Sequence, residues 1–256
     1  MTQIKLHAWG RGKPLLLLHA FPLNAAMWEP QIKALENECL LLAPDVPGFG
    51  NSADAPGFES LDELARALHG VIAARGVERA AIAGCSMGGY LAFALLRVAP
   101  GLATALAFIN TKASVDDDAG RAKRLDLAQR AEREGCAFLS NEWPPSALSP
   151  FTLAQRPAVV ENVAQLIAQA TARGVIDAQK AMAARPDSTP LLSRIDVPAI
   201  VIQGLDDRFV PSADARAMAS SISGSAFVGV SDAGHLPNLE NPSPVNVALL
   251  QLVKNL

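Results

Sequence analysis

The chain has 256 residues, half of them hydrophobic and 5% aromatic, with a formal net charge of −3. That length suits one α/β domain, or a core carrying an insertion, with enough apolar residues to bury a large interior. No long run of one charge provides the basic face a nucleic-acid partner requires, and no apolar stretch approaches the roughly 18 residues of a membrane span. The three cysteines, Cys39, Cys85 and Cys136, are scattered without a C-x-x-C pair, which fits a reducing compartment rather than a disulfide framework. The opening Met-Thr-Gln-Ile-Lys has no basic region leading into an apolar one, so no signal peptide is expected and the expected location is cytoplasmic.

In chain order, Ile4 to Trp9 reads as a short strand and Gly10 to Pro14 as a turn. Leu15-Leu-Leu-Leu18 is apolar without alternation, as in a strand covered on both faces, and ends in the loop His19-Ala-Phe-Pro-Leu23. Trp28 to Leu35 is expected to be helical, Leu40 to Ala43 a buried strand, and Pro44-Asp-Val-Pro-Gly-Phe-Gly50 a turn-rich loop. Ser60-Leu-Asp-Glu63 is a capping box, followed by Leu61, Leu64, Ala65, Leu68, Val71 and Ile72 at helical spacing. Ala80 to Ala83 reads as a strand, Met87 to Val98 as a helix apolar nearly all round, and Ala105 to Ile109 as the next strand.

From about Thr111 to about Pro190 no convincing strand is found. Arg121–Glu134 and Ala158–Ala170 are helical patterns, and Asn141-Glu-Trp-Pro-Pro-Ser146 is expected to break the chain between them. Strand and helix alternate again from Pro198 through Ile202, Ser212–Ile222 and Ala226–Val230, and Pro242 opens a last helix ending near Leu256. Such alternation implies a mostly parallel sheet with helices on both faces. The division expected is a core of residues 1–110 and 191–256, with a helical lid over residues 111–190.

The chain is organised around Gly84-Cys-Ser-Met-Gly88 between the Ala80 strand and the Met87 helix. Gly-x-Ser-x-Gly in that context is the pattern of a nucleophile elbow, a turn tight enough to demand small neighbours and to expose Ser86. A serine hydroxyl needs a base, and there are four histidines. His235 lies in a loop after the last strand, at the sheet edge where strand carboxyl ends open into loops; His19, the alternative, more simply braces the loop after its own strand. The histidine in turn needs a carboxylate to orient it, and the loop Gly204-Leu-Asp-Asp-Arg-Phe-Val-Pro211 offers Asp206 and Asp207. Asp45 and Asp232 read as carboxylates bracing loops through backbone N–H groups. The oxyanion of acyl transfer requires two donors: the Met87 N–H is one, and Phe21 is preferred for the other because Pro22 has no N–H.

Together, His19-Ala-Phe-Pro, Pro44-Asp-Val-Pro-Gly-Phe-Gly50, Gly84-Cys-Ser-Met-Gly-Gly89, Gly204-x-x-Asp207-x-x-x-Pro211 and Ala233-Gly-His235-x-Pro237 with Glu240-Asn-Pro242 resemble the α/β-hydrolase superfamily. The resemblance is to its small capped members: carboxylesterases, enol-lactonases and carbon–carbon hydrolases. It implies an α/β-hydrolase fold of about seven to eight strands with a helical cap after strand six, Asp207 as the acid, and Phe21 as the second oxyanion donor. Three departures stand out. Ala20 replaces the usual glycine after His19, there is room for only one strand before Leu15, and Asn110 occupies a place where some relatives carry the acid. A serine at the elbow disfavours dehalogenase and epoxide-hydrolase chemistry, which use a carboxylate, and Cys85 beside it is read as a small buried hydrophobe.

The function expected is carboxylic-ester hydrolysis by a Ser86–His235–Asp207 triad through an acyl-enzyme, without metal or organic cofactor. The partner expected is a small ester or lactone. Met27, Phe138 and Trp143 are candidate pocket residues. An enol-lactonase or a cofactor-free perhydrolase is the alternative with the same triad, and a small-molecule receptor that keeps the triad without turnover is the rival from another class.

Overall fold

The computed structural model describes residues 4–254. A seven-stranded sheet with the order β1-β3-β2-β4-β5-β6-β7 forms its centre. The strands are β1 (Leu6–Trp9), β2 (Pro14–Leu18), β3 (Leu40–Pro44), β4 (Ala80–Cys85), β5 (Ala103–Ile109), β6 (Ala199–Gly204) and β7 (Ala226–Val230). Only β1 runs antiparallel to its neighbour, β3; every other pair is parallel. The unbroken apolar runs explain the arrangement, since β4 and β6 are buried at every position and such strands need helices on both faces.

The core helices are α1 (Glu29–Leu35), α2 (Leu61–Ala73) and α3 (Met87–Val98). Seven more follow β5: α4 (Asp118–Glu134), α5 (Leu139–Glu142), α6 (Pro144–Ala147), α7 (Pro150–Gln155), α8 (Pro157–Ile167), α9 (Ala172–Ala183) and α10 (Thr189–Leu192). The chain closes with α11 (Ser212–Ser220), α12 (Pro237–Glu240) and α13 (Pro242–Lys254). Helices α2 and α3 pack together with α3 on β2, β4 and β5, while α1 pairs with α13, which crosses β4 to β7. Ser60 caps α2 by accepting the Glu63 N–H at 3.1 Å. The reciprocal half of the expected capping box is displaced by one residue, because Glu63 accepts from the N–H of Glu59.

Residues 111–198 contain no strand, so the helical segment inserts between β5 and β6. In chain order that is after the fifth strand rather than the sixth, because a single strand precedes Pro14. The prolines at 144 and 145 do not simply interrupt the helix pattern. They occupy the first turn of α6, where a missing N–H costs nothing. Helix α9 has no counterpart among the expected elements; its Gly174 and polar residues weaken the pattern that tertiary packing then overrides. The insertion docks on the core where the Thr171 N–H donates to the Gly48 carbonyl at 2.8 Å, and Gly174 and Gly48 approach too closely for either to carry a Cβ.

Register decides where the loops emerge. Leu18 pairs with Gly84, Cys85 with Ile109, Ile109 with Ile202, and Gly204 with Val230. The segments after β4, β5, β6 and β7 therefore leave the sheet along one edge, and each carries a polar residue of the site.

Candidate active site

The β4–α3 turn presents Ser86 with φ 53° and ψ −112°, a left-handed backbone that an L-residue adopts only under constraint. The constraint is local. A Cβ on Gly84 would collide with the backbone of Gly88, and one on Gly88 with the Leu18 carbonyl. The Ser86 N–H donates to the Ile109 carbonyl at 2.9 Å and Thr111 Oγ1 donates to the Ser86 carbonyl at 2.9 Å, pinning the turn to the end of β5.

From this turn Ser86 Oγ lies 2.7 Å from His235 Nε2, and His235 Nδ1 lies 3.1 and 3.0 Å from Asp207 Oδ1 and Oδ2. All contacts are satisfied when Nδ1 carries the ring proton, leaving Nε2 to accept from the serine. The His235 side chain is 4% exposed and that of Asp207 fully buried. Burial alone pushes the Asp207 carboxyl up. The charge of His235 and its hydrogen bond, with those from the Phe209 N–H and Asn110, outweigh burial and hold the group below the usual carboxylate range. Asp206, its neighbour, is exposed and offers no contact to the histidine.

The His235 loop is held from both sides. Its N–H donates to the Ala147 carbonyl at 2.7 Å, so the histidine's backbone is tied to the helical insertion. The buried Glu240 carboxylate accepts N–H groups of Gly234 at 2.9 Å, Leu236 at 3.1 Å and Ser149 at 2.7 Å. Asn110, with φ 44°, donates to Asp207 at 2.7 Å and to the Gly234 carbonyl at 2.9 Å, and accepts the Gly204 N–H at 2.9 Å. Glu240 and Asn110 are thus the residues behind the triad. The motif Glu240-Asn-Pro242 and the non-acidic Asn110 were visible in the sequence, but nothing local indicated what they hold.

The other predicted positions divide. Among the described residues the Phe21 and Met87 N–H groups have no acceptor, and Phe21 lines the same cavity as Ser86. His19 is buried beneath that loop, with the Val46 N–H donating to its Nε2 at 2.9 Å. Burial, against a hydrogen bond to Ala20 and the charge of Asp45, lowers its pKa, so it is held neutral, with both ring nitrogens engaged by backbone groups of Ala20 and Val46. Asp45 braces its loop through the N–H groups of Ala25 at 2.7 Å and Asn51 at 2.9 Å. Asp232 differs: its side chain is exposed, and its backbone carbonyl accepts from Ser149 Oγ at 3.1 Å. Cys85 is buried behind the elbow; burial, with the charges of Asp207 and Glu240, raises its thiol well above the usual value, which keeps it a thiol rather than a nucleophilic thiolate.

A cavity of about 430 Å³ opens onto Ser86 and His235. Trp143 lines it, with its ring 6.1 Å from that of His235, and Phe209 stands edge-on to the histidine at 4.8 Å. Met27 and Phe138 do not line it. Met27 is buried in the core with its sulfur 3.2 Å from the Ala20 N–H, and Phe138 lies under the Arg130 guanidinium at 3.6 Å. Residue type suggested both, but the direction of each side chain is set by packing between elements distant in sequence. The cavity instead takes Tyr90, Lys112, Arg124, Gln179 and Met182, which no local pattern singled out.

Comparison with known proteins shows the family. Residues 13–242 match the model of the family described as the α/β hydrolase fold. A thermophilic esterase from Thermogutta terrifontis, solved in a malate-bound form, is 36% identical and superposes with a TM-score of 0.94 over 98% of this chain and 93% of its own. The 3-oxoadipate enol-lactonase 2 of Acinetobacter baylyi is 25% identical over 94% of this chain and 88% of its own length. A protein provisionally named carbamate hydrolase RutD, from Azorhizobium caulinodans, is 29% identical over 94% of this chain and 91% of its own. No helix among the described residues is long and apolar enough to cross a membrane. The matched span covers nearly the whole chain and includes the elbow, the acid loop and the histidine loop, so this chain belongs to the α/β-hydrolase family and is a hydrolase.

Proposed function

We propose that the chain hydrolyses carboxylic esters through an acyl-enzyme on Ser86. The observation that carries this reading is the unbroken line of contacts Ser86 Oγ–His235 Nε2 at 2.7 Å and His235 Nδ1–Asp207 at 3.0 Å. In the first half-reaction Ser86 Oγ adds to the ester carbonyl carbon while its proton passes to His235 Nε2. Asp207 keeps the ring in the required tautomer and offsets the imidazolium charge. The carbonyl oxygen, now negative, sits between the Phe21 and Met87 N–H groups; one such donor is typically worth about 10²–10³-fold in rate. The carbon–oxygen bond to the leaving alkoxide breaks as His235 returns the proton, releasing the alcohol. In the second half, water gives its proton to His235 and its oxygen to the acyl carbon. Ser86 then leaves with that proton, releasing the acid.

Opening of a lactone ring is the second reading, favoured by the similarity to the 3-oxoadipate enol-lactonase. It needs the same residues, the leaving alkoxide staying attached to the acyl group. The esterase likeness is the stronger at 36% identity, which supports acyclic esters as the first substrates to assay. The test is hydrolysis of short-chain p-nitrophenyl esters by the wild type and Ser86→Ala. Turnover that falls by a factor of about 10³ or more in the alanine variant supports the reading. Equal turnover by both, or none by a folded wild type on esters and lactones alike, removes it.

A further inference from the structure

The cavity that opens on Ser86 is charged at one part of its wall. Lys112, Lys123, Arg124 and Arg208 line it against two carboxylates, Asp116 and Asp117. Asp117 is engaged as the N-cap of α4, accepting the Gly120 N–H at 2.7 Å. Asp116 is the centre of a cluster. Arg185 grips it with two bonds, Nη1 to Oδ2 at 2.6 Å and Nη2 to Oδ1 at 2.9 Å. Lys112 Nζ lies 3.1 Å from Oδ1, and Arg124 Nε 2.5 Å from Oδ2. The Arg185 side chain is 4% exposed and its guanidinium lies 4.1 Å from the ring centroid of Tyr90, itself a residue of the cavity wall. Burial pushes the Asp116 carboxyl up, but the Arg185 and Arg124 hydrogen bonds and charges outweigh it and hold it far below the usual range.

One bidentate arginine neutralises one carboxylate. Lys112 and Arg124 are therefore surplus positive charge gathered around a single anion, on the side of it that faces the cavity. Each side chain is 21% exposed, so the two are only partly shielded by water. Lys123 has no carboxylate partner among the described residues, and Arg208 Nη1 donates to the Pro145 carbonyl at 3.5 Å. Set against the carboxylates of Asp116 and Asp117, the four cations leave this wall net positive, and a concave site focuses that potential on whatever enters it. Phe21, Leu127, Trp143, Met182 and Phe209 form an apolar part of the same wall. Resting on the hydrolase reading above, we infer that the substrate carries a free carboxylate remote from the scissile bond, held by Lys112 and Arg124 on the platform of Asp116 and Arg185. Lys123 and Arg208 strengthen the field. The preferred substrate is thus a monoester of a dicarboxylic acid rather than a neutral ester.

The test compares monoethyl adipate, which keeps one carboxylate, with ethyl hexanoate, its neutral analogue of equal acyl length, by titrating the acid released. The expected result is a preference for the monoanion of about tenfold or more in kcat/KM, as charged hydrogen bonds supply, carried mainly in KM. That preference shrinks as salt is added. It also shrinks in Lys112→Met and Lys123→Gln, both at partly or fully exposed positions where folding is not at stake, and is retained in Lys112→Arg. A wild type that hydrolyses ethyl hexanoate as well as the monoester overturns the carboxylate inference while the hydrolase reading stands. If neither ester is turned over, and the folded wild type is inert on p-nitrophenyl esters and lactones as well, the ester-hydrolysis reading fails instead. The anion site is then decided by calorimetric titration of adipate into Ser86→Ala with and without Lys112→Met: binding weakened by the second change sustains the site, and no binding removes it.

Discussion

Asn110 donates its side-chain amide to the Oδ2 of Asp207 across 2.7 Å, from a backbone with φ 44° at the end of β5. The donor matters because Asp207 is fully buried and stays ionised only through the partners it has there. Replacing Asn110 by Asp exchanges that donor for a second carboxylate. Like charges at this distance share a proton, so one of the two carboxyls rises. With Asn110→Asp we expect kcat to fall by about tenfold or more near neutrality, with the acid limb of the pH–rate profile moved to higher pH. An unchanged profile contradicts the assigned role of Asn110.

Glu240 accepts three backbone N–H groups from two sides, joining the His235 loop to Ser149 of the insertion. In Glu240→Gln an amide nitrogen faces a backbone N–H and leaves it without an acceptor. A cost of about 1–3 kcal/mol in stability is expected, the range for an unsatisfied buried group, with a lower melting temperature and a lower kcat together. Calorimetric melting beside ester turnover checks this. Loss of stability with full kcat shows the loop does not depend on the staple.

His19 is kept neutral in the native state, since protonating Nε2 would both bury a charge and break the bond from the Val46 N–H. Its folded pKa lies below the unfolded value of about 6.5. Stability is then complete above about pH 6.5 and falls as pH drops, because the unfolded chain takes up a proton that the native chain refuses. His19→Gln keeps an acceptor for Val46 and removes the titration. Denaturant melts at pH 7.5 and pH 5.5 test the point. The wild type loses more stability between them than the variant.

A Cβ on Gly88 meets the Leu18 carbonyl, whereas one on Gly101 meets nothing within 4 Å. Gly88→Ala is expected to destabilise by at least about 1–3 kcal/mol, as overpacking does, and to displace Ser86 from His235. Gly101→Ala is expected to stay within about 0.5 kcal/mol. Equal melting temperatures for the two variants contradict the tight-elbow geometry.

The strands, the elbow and the candidate base His235 were legible in the chain because each is written in neighbouring residues, whereas the acid loop offered Asp206 and Asp207 alike and only the family resemblance pointed to Asp207. A buried strand is an apolar run, an elbow is two glycines around a serine between a strand and a helix, and parallel strands deliver their loops to one edge. The expected strand positions and the segment free of strands between residues 111 and 190 follow from that same local information. Tertiary structure alone decided what stands around the triad. Met27 and Phe138 had suitable chemistry yet point into packing, while Lys112, Asp116 and Arg124 meet Arg185 because α4 packs against α9 within the helical insertion. Local periodicity says which residues of a helix share a face. It does not say what that face meets, because that depends on contacts between residues far apart in the chain.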